Sequence, residues 1–139
     1  MQINTEAKLV IRLTNLQSKF QKKLGSSFSL HGISFTEYLV LRQLGHAPEK
    51  RLRRIDLANE IGLTPSGVTR LLNPMEKIGL VTKEQAVRDA RVSLVAITDA
   101  GERILEDATK TFNETSKELL SSVNGEELEL FSNIVATLL

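Results

Sequence analysis

Cysteine is absent from the 139 residues. Disulfides, thiolate metal ligands, cysteine nucleophiles and thiol redox switches are therefore excluded. No apolar run approaches the ~18 residues that a membrane span needs. The first residues, Met1-Gln2-Ile3-Asn4-Thr5-Glu6, lack the basic stretch and apolar segment of a secretory signal, so the cytoplasm is the expected compartment. His31 and His46 stand fifteen residues apart without clustered carboxylates, a poor basis for a metal site. No phosphate-binding loop, nucleophile motif, metal pair or acid–base couple is legible, so neither an enzyme nor a resident cofactor is expected. What is present is a globular composition, 41% hydrophobic and 25% charged. At this length folding removes roughly two-thirds of the unfolded chain's surface from water, enough for a core without covalent staples.

The net charge of +1 conceals an uneven distribution. Residues 1–41 hold five basic and two acidic side chains, residues 42–91 hold ten and six, and residues 92–139 hold three and nine. A basic middle followed by an acidic end in a near-neutral chain points to a polyanion meeting the middle, although a solvated chain can fluctuate this far without a partner.

Apolar residues at Ala7, Val10, Leu13, Leu16, Phe20 and Leu24 predict a first helix over about Thr5 to Leu24, stopped by Gly25-Ser26-Ser27. Ser34-Phe35-Thr36-Glu37 reads as a capping box that opens a second helix, ending at Gly45. A third helix is expected over Arg54 to Ile61. Thr64 as N-cap and Pro65 at the first helical position open a fourth, which reaches about Ile78 before Gly79. The β-like runs Leu80–Lys83 and Val92–Ile97 flank a polar tip and predict a two-stranded hairpin. Thr98 or Asp99 caps a long fifth helix, with Glu102 placed for a box with Asp99. Asn124-Gly125-Glu126-Glu127 interrupts the chain and opens a sixth.

The informative stretch is Arg54 to Leu72, two short helices joined by a tight turn. Ala58, Gly62 and Val68 fall at offsets 0, 4 and 10. A helix-turn-helix requires a small residue where its helices cross and a glycine that takes the left-handed conformation at the turn. Leu57, Leu63, Val68, Leu71 and Leu72 fill the space between the helices. On the fourth helix, Val68, Leu71, Leu72, Met75 and Ile78 recur on an inner face, and Ser66, Thr69, Arg70 and Asn73 on an outer one. That outer face is short, polar and cationic. It suits a major groove, where Arg reads guanine and Asn reads adenine. The amide groups at the helix start suit a phosphate. A solvated surface helix is the alternative for the face alone; the turn and the hairpin together weigh against it. The hairpin behind the second of these helices is a wing, whose tip carries Arg88 and Arg91 around Asp89. Asp89 is placed to orient a neighbouring Arg, and an Arg on such a ribbon can enter a narrow minor groove; for the tip taken alone, a charged turn that keeps the hairpin soluble is the simpler alternative.

The run from Leu57-Ala58 to Leu80-Val81, with Met75-Glu76-Lys77-Ile78-Gly79-Leu80-Val81 inside it, resembles the multiple-antibiotic-resistance regulator (MarR) family. So does the stretch from Asp89-Ala90-Arg91 through Leu94 to Thr98-Asp99-Ala100-Gly101. The resemblance implies a mainly α fold with a small β-hairpin, six helices and one wing. It divides the chain into a winged helix-turn-helix lobe over 34–98 and dimerisation helices over 1–33 and 99–139. It further implies an obligate homodimer. Thr64, Ser66, Thr69, Arg70 and Asn73 would face the major groove, and Arg91, positioned by Asp89, would enter the minor groove. A cleft between the two lobes would admit small aromatic or phenolic effectors. The family's peroxide-sensing mode is excluded by the absence of cysteine.

Three departures stand out. Arg53 and Arg54 occupy positions where the family often opens the third helix with Thr or Ser, so that cap is weak and both are free for phosphates. Pro74 lies inside the fourth helix and deletes the bond to the Arg70 carbonyl, predicting a kink near Arg70 to Pro74. Ala90 stands where glycine is common at the wing tip.

The apolar stripes of the first, fifth and sixth helices exceed what the central lobe can cover. They mark Val10, Leu13, Phe112, Leu119, Leu128, Phe131, Ile134 and Leu138 as dimerisation residues. The expected function is a sequence-specific double-stranded DNA-binding regulator, a repressor acting as a homodimer on an inverted repeat. Its DNA-contacting residues are Arg53, Arg54, Thr64, Pro65, Ser66, Thr69, Arg70, Asn73, Arg88, Asp89 and Arg91. The alternatives are an activator, or a winged helix that binds a protein partner. The protein-binding alternative suffers from the lack of an aromatic anchor on the outer face.

Overall fold

The computed structural model describes residues 1–89 and 91–139. Ala90, and the expectation attached to it, lies outside the described residues. Among those described, the elements run α1 Thr5–Ser29, α2 Phe35–His46, β1 Arg51–Arg53, α3 Arg54–Ile61 and α4 Pro65–Lys77. They continue with β2 Val81–Gln85, β3 Ser93–Ile97, α5 Asp99–Leu119 and α6 Gly125–Leu138. The six helices and small sheet match the expected architecture. Two compact units result: a central one, Phe28–Lys110, and a terminal one formed by Met1–Ser27 with Thr111–Leu139.

The central unit holds nearly all of the buried apolar side chains, Phe28, Tyr38, Leu41, Leu57, Leu72 and Met75 among them. Its aromatic centre is Phe28, whose ring centroid lies 4.9 Å from Tyr38 and 5.6 Å from Phe35. The Tyr38 hydroxyl shares a 2.9 Å hydrogen bond with the Thr109 hydroxyl. This cluster explains why α1 does not stop at Leu24 as its glycine suggested. Helical conformation persists through Gly25 to Ser29 and delivers Phe28 into the core. A helical glycine costs only about 1 kcal/mol, less than full burial of a phenylalanine contributes. The turn comes instead at Gly32, at a left-handed φ of 71°.

The capping box of α2 forms as expected, Glu37 N donating to Ser34 Oγ at 3.1 Å and Ser34 N to Glu37 Oε1 at 2.8 Å. Gly45 does not end that helix, which continues to His46. A side chain at Gly45 would run into Leu105 of α5, so the glycine serves a close approach instead of a stop.

The sheet has three strands, in the order β1-β3-β2. The hairpin pairs antiparallel from Val81↔Ile97 to Gln85↔Ser93. The strand missing from the sequence reading is β1, which pairs with the other edge of β3 through Leu52↔Val95. Three residues, two of them arginine, carry no alternating pattern to announce a strand. The chain enters β1 through Glu49 and Lys50, both left-handed at φ 57° and 58°, and Lys50 forms an ion pair with Glu102 of α5. Glu102 therefore makes no box with Asp99. Thr98 caps α5: its Oγ1 accepts from Gly101 N at 3.0 Å and donates to the Gly79 carbonyl at 2.6 Å. The Leu80 carbonyl accepts Thr98 N at 3.0 Å. It also sits so close to Gly101 that a Cβ there would overlap it.

The terminal unit is built differently. Among its described residues only Leu24 and Thr115 are buried. The Thr115 hydroxyl donates to Ser27 Oγ at 2.9 Å, and Lys23 pairs with Glu118 at 3.3 Å. The box that opens α6 forms, Glu127 N donating to Asn124 Oδ1 at 2.9 Å and Asn124 N to Glu127 Oε1 at 3.1 Å. Yet α6 buries none of its side chains: Phe131 is 38% exposed, Ile134 50% and Leu138 71%. Val10 and Leu128 are likewise exposed, and Leu13, Phe112 and Leu119 half-buried. Among the described residues, no helix is long and apolar enough to cross a membrane.

Candidate nucleic-acid interface

The helix-turn-helix forms over the expected residues. Ala58 is buried at the base of α3, and Gly62 ends that helix in the left-handed conformation at φ 69°. Leu63 N closes the turn on the Ala58 carbonyl at 2.9 Å. Thr64 caps α4, its Oγ1 accepting from Gly67 N at 3.1 Å, with Pro65 beginning the helix.

The two faces of α4 separate as the sequence suggests, with one exception. Val68, Leu72 and Met75 are fully buried and Leu71 half-buried. Ile78 is 59% exposed and not inward, because it is the C-cap residue, at φ −90° and ψ 5°, where the chain has already left helical phase. On the outer side Ser66, Arg70 and Asn73 are exposed and Thr69 is half-buried. The expected kink does not interrupt the helix. It continues through Pro74 to Lys77, and the exposed ring of Pro74 lies clear of the buried face.

Arg53 is the N-cap of α3 and provides no side-chain cap, as its identity implies. It grips Asp56 instead, Nε to Oδ2 at 2.8 Å and Nη2 to Oδ1 at 3.1 Å. This hydrogen-bonded pairing raises the Arg53 pKa and lowers that of Asp56. Arg54 turns onto α4, its Nη1 donating to Thr69 Oγ1 at 2.9 Å, while Thr69 Oγ1 donates to the Pro65 carbonyl at 3.1 Å. Its Nε is buried without a hydrogen-bond partner. The expectation that Arg54 is free for a phosphate therefore meets a guanidinium already committed to the helix beside it.

The wing tip carries the geometry read from Asp89-x-Arg91. Asp89 Oδ1 accepts from Arg91 N at 3.0 Å and from Arg91 Nε at 3.2 Å. The backbone bond first, and the side-chain bond second, hold the Asp89 carboxyl below the usual carboxylate range. The Arg91 side chain stays 92% exposed. Arg88 is also exposed, and neither Arg88 nor Arg70 has an ion pair among the described residues. Arg53, Arg54, Pro65 and Arg91 line a cleft of about 310 Å³ together with Ile55 and Val92. The structure thus joins the start of α3, the start of α4 and the wing into one cationic surface.

One participant escaped the sequence reading. Lys83 of β2 donates to Asn73 Oδ1 at 2.6 Å and lies 3.8 Å from Glu76. A lysine on a strand gives no sign of which helix residue it will reach, so only the folded wing reveals it.

Comparison with known proteins agrees with this architecture. Residues 31–92 match the family model described as MarR family. An uncharacterized HTH-type transcriptional regulator of Bacillus subtilis, YdgJ, is 30% identical over 132 residues, covering 94% of this chain and 77% of the relative. A MarR family transcriptional regulator from Streptomyces coelicolor, solved in complex with DNA, superposes with a TM-score of 0.89 at 21% identity, over 99% of this chain and 89% of that one. An organohalide-sensing transcriptional regulator, solved in its 2,4-dichlorophenol-bound form, superposes with a TM-score of 0.88 at 18% identity, over 99% of this chain and 80% of that one. The last two likenesses establish the fold. The family model and a relative matched along almost the whole chain establish the kinship: the chain belongs to the MarR family, which regulates transcription and does not catalyse a reaction.

Proposed function

We propose that this chain is a homodimeric, sequence-specific DNA-binding repressor of the cytoplasm that reads an inverted-repeat operator. The observation that carries this reading is the outer face of α4. Ser66, Arg70 and Asn73 stand exposed on a rigid, capped helix, with no bulky apolar side chain among them and a wing bearing Arg88 and Arg91 in the same compact unit. Hydrogen-bonding groups on a narrow rod suit a major groove, and a mobile guanidinium on a ribbon suits a minor groove. In this reading Thr64, Pro65, Ser66, Thr69, Arg70 and Asn73 meet the major groove, Arg53 and Arg88 meet phosphates, and Arg91 is aimed by Asp89. Arg54 acts through Thr69.

Dimerisation is supported by α6, an amphipathic helix that buries nothing within its own chain. A helix of this length is marginal in water without tertiary packing, and a second copy related by a twofold axis would cover the apolar side chains. Repression requires nothing beyond occupancy of a promoter. The DNA complex of the Streptomyces coelicolor regulator supports the choice of ligand. Release by a small aromatic or phenolic effector is the further element of the proposal, supported by the family resemblance and by the dichlorophenol-bound relative.

The test is equilibrium binding of the full chain to promoter duplexes at several salt concentrations. Affinity is expected to fall steeply and linearly on logarithmic axes as salt rises, because phosphate contacts release counterions. Arg70→Ala is expected to cost about 1–3 kcal/mol on the preferred sequence and to relax preference at one base pair. If Arg70→Ala leaves both affinity and preference intact, α4 is not the reading element.

A further inference from the structure

Resting on the reading of this surface as the duplex-binding face, we infer that Asp56 is an intramolecular competitor for DNA phosphate. It balances the charge of Arg53 in the free protein and so holds down the affinity of the face for every duplex, whatever its sequence. Arg53 is well placed for a backbone contact, because it lines one cleft with Pro65 at the start of α4 and Arg91 of the wing. Yet Asp56, one helical turn further on, holds it through two bonds, from Nε to Oδ2 at 2.8 Å and from Nη2 to Oδ1 at 3.1 Å. A two-bonded pair of this kind is the strong form of the arginine–carboxylate contact. Each partner stabilises the charged form of the other, raising the Arg53 pKa and lowering that of Asp56, so the pair is fully ionised at neutral pH.

The competition is over charge, not over donors. The Arg53 guanidinium keeps N–H groups that can still reach a phosphate oxygen, but a phosphate brought to it also meets the Asp56 carboxylate, and repulsion offsets attraction. Backbone affinity comes from releasing the counterions of the phosphates that a protein neutralises. A guanidinium that carries its own counter-charge releases few of them, so Arg53 contributes fully only by parting from Asp56. Asp89 and Arg91 form a different pair. Their side-chain bonds are longer, 3.2 and 3.4 Å, and the Arg91 side chain is 92% exposed against 56% for Arg53. Asp89 thus aims a guanidinium that stays open to solvent, whereas Asp56 covers one. Asp56 also lies in the first turn of α3, where a carboxylate suits the positive end of the helix. Its removal can therefore cost helix stability, and the test needs a second variant that leaves it in place.

The test is equilibrium binding of the full chain to its preferred duplex and to a random-sequence duplex over a range of salt concentrations. Asp56→Asn is expected to tighten both about twofold to fivefold per subunit, the worth of one exposed ion pair. The logarithmic salt slope should steepen by about 0.9 per subunit. Sequence preference should stay where it is, because a phosphate contact carries none. In an Arg53→Gln background the same substitution is expected to give a smaller gain and no change of slope. Arg53→Lys keeps the positive charge and Asp56 but loses the two-bonded fork, and is expected to tighten binding in the same direction. Weaker or unchanged binding by a folded Asp56→Asn would mean that the carboxylate positions Arg53 for its phosphate, and overturns the inference. An equal gain with and without Arg53 overturns it too, since the carboxylate then repels DNA by itself. So does tightening on the preferred sequence alone, which would assign Arg53 to a base. Should Asp56→Asn fail to fold, Arg53→Lys decides, and weaker or unchanged binding there is the overturning result. All of these leave duplex binding in place. Failure of the wild type to bind any duplex removes the DNA-binding reading itself, and this inference with it.

Discussion

Side chains at the wing tip act through a few short bonds, and their chemistry can be tested one residue at a time. The Asp89 carboxyl is held below its ordinary pKa by the Arg91 backbone and guanidinium. A depressed acid pKa means that the contact is complete above the unfolded value, about 3.9. It is lost as pH falls through the folded value. Neutral pH changes should therefore leave the wing untouched. The Arg91 Nε–H resonance should move only in the acid range, and Asp89→Asn should abolish that movement. The same titration surviving in Asp89→Asn would mean that another group orients Arg91. The candidate residues themselves were legible from their types and spacing. Their bonds were not, because Arg54 to Thr69 and Lys83 to Asn73 join residues from different elements.

Among the elements, wing and α5 meet at a closely packed junction. Thr98 caps α5 and ties it to Gly79, while Gly101 leaves room only for the Leu80 carbonyl. Gly101→Ala must displace backbone and is expected to lower stability by about 1–3 kcal/mol or more, read as a lower denaturation midpoint. An unchanged midpoint would show that the junction yields. Capping signals predicted α2, α4 and α6 well, because a cap is written in neighbouring residues. Stops written as Gly25 and Gly45 misled, because a glycine that permits a turn also permits a close approach. At Gly45 Leu105 presses on the helix; at Gly25 nothing packs against the glycine, and it is the burial of Phe28 three residues on that carries the helix past it. Three-residue β1 has meaning only as a partner of β3.

At the scale of the whole molecule the two units differ in how they are held. The central unit has a closed apolar core, and the terminal unit buries only Leu24 and Thr115 among its described residues. Phe131→Glu, on a helix without buried side chains, has no core to disrupt within its own chain. If the chain dimerises as proposed, it is expected to dissociate that dimer, seen as a halved mass in sedimentation at micromolar concentration, together with loss of operator affinity. A variant that remains dimeric would place the subunit contact elsewhere than on α6.

Residue order alone determined the helix count, the helix-turn-helix turn at Gly62, the polar outer face of α4 and the apolar excess of the terminal helices. All of these follow from local rules: caps, periodicity of 3.6 residues, and the conformational freedom of glycine at a turn. Tertiary structure alone decided the third strand, the continuation of α1 to Ser29, the commitment of Arg54 to Thr69 and the grip of Lys83 on Asn73. Those features depend on which side chains meet across space. Meeting is settled by the packing of the core, which no neighbouring residue encodes.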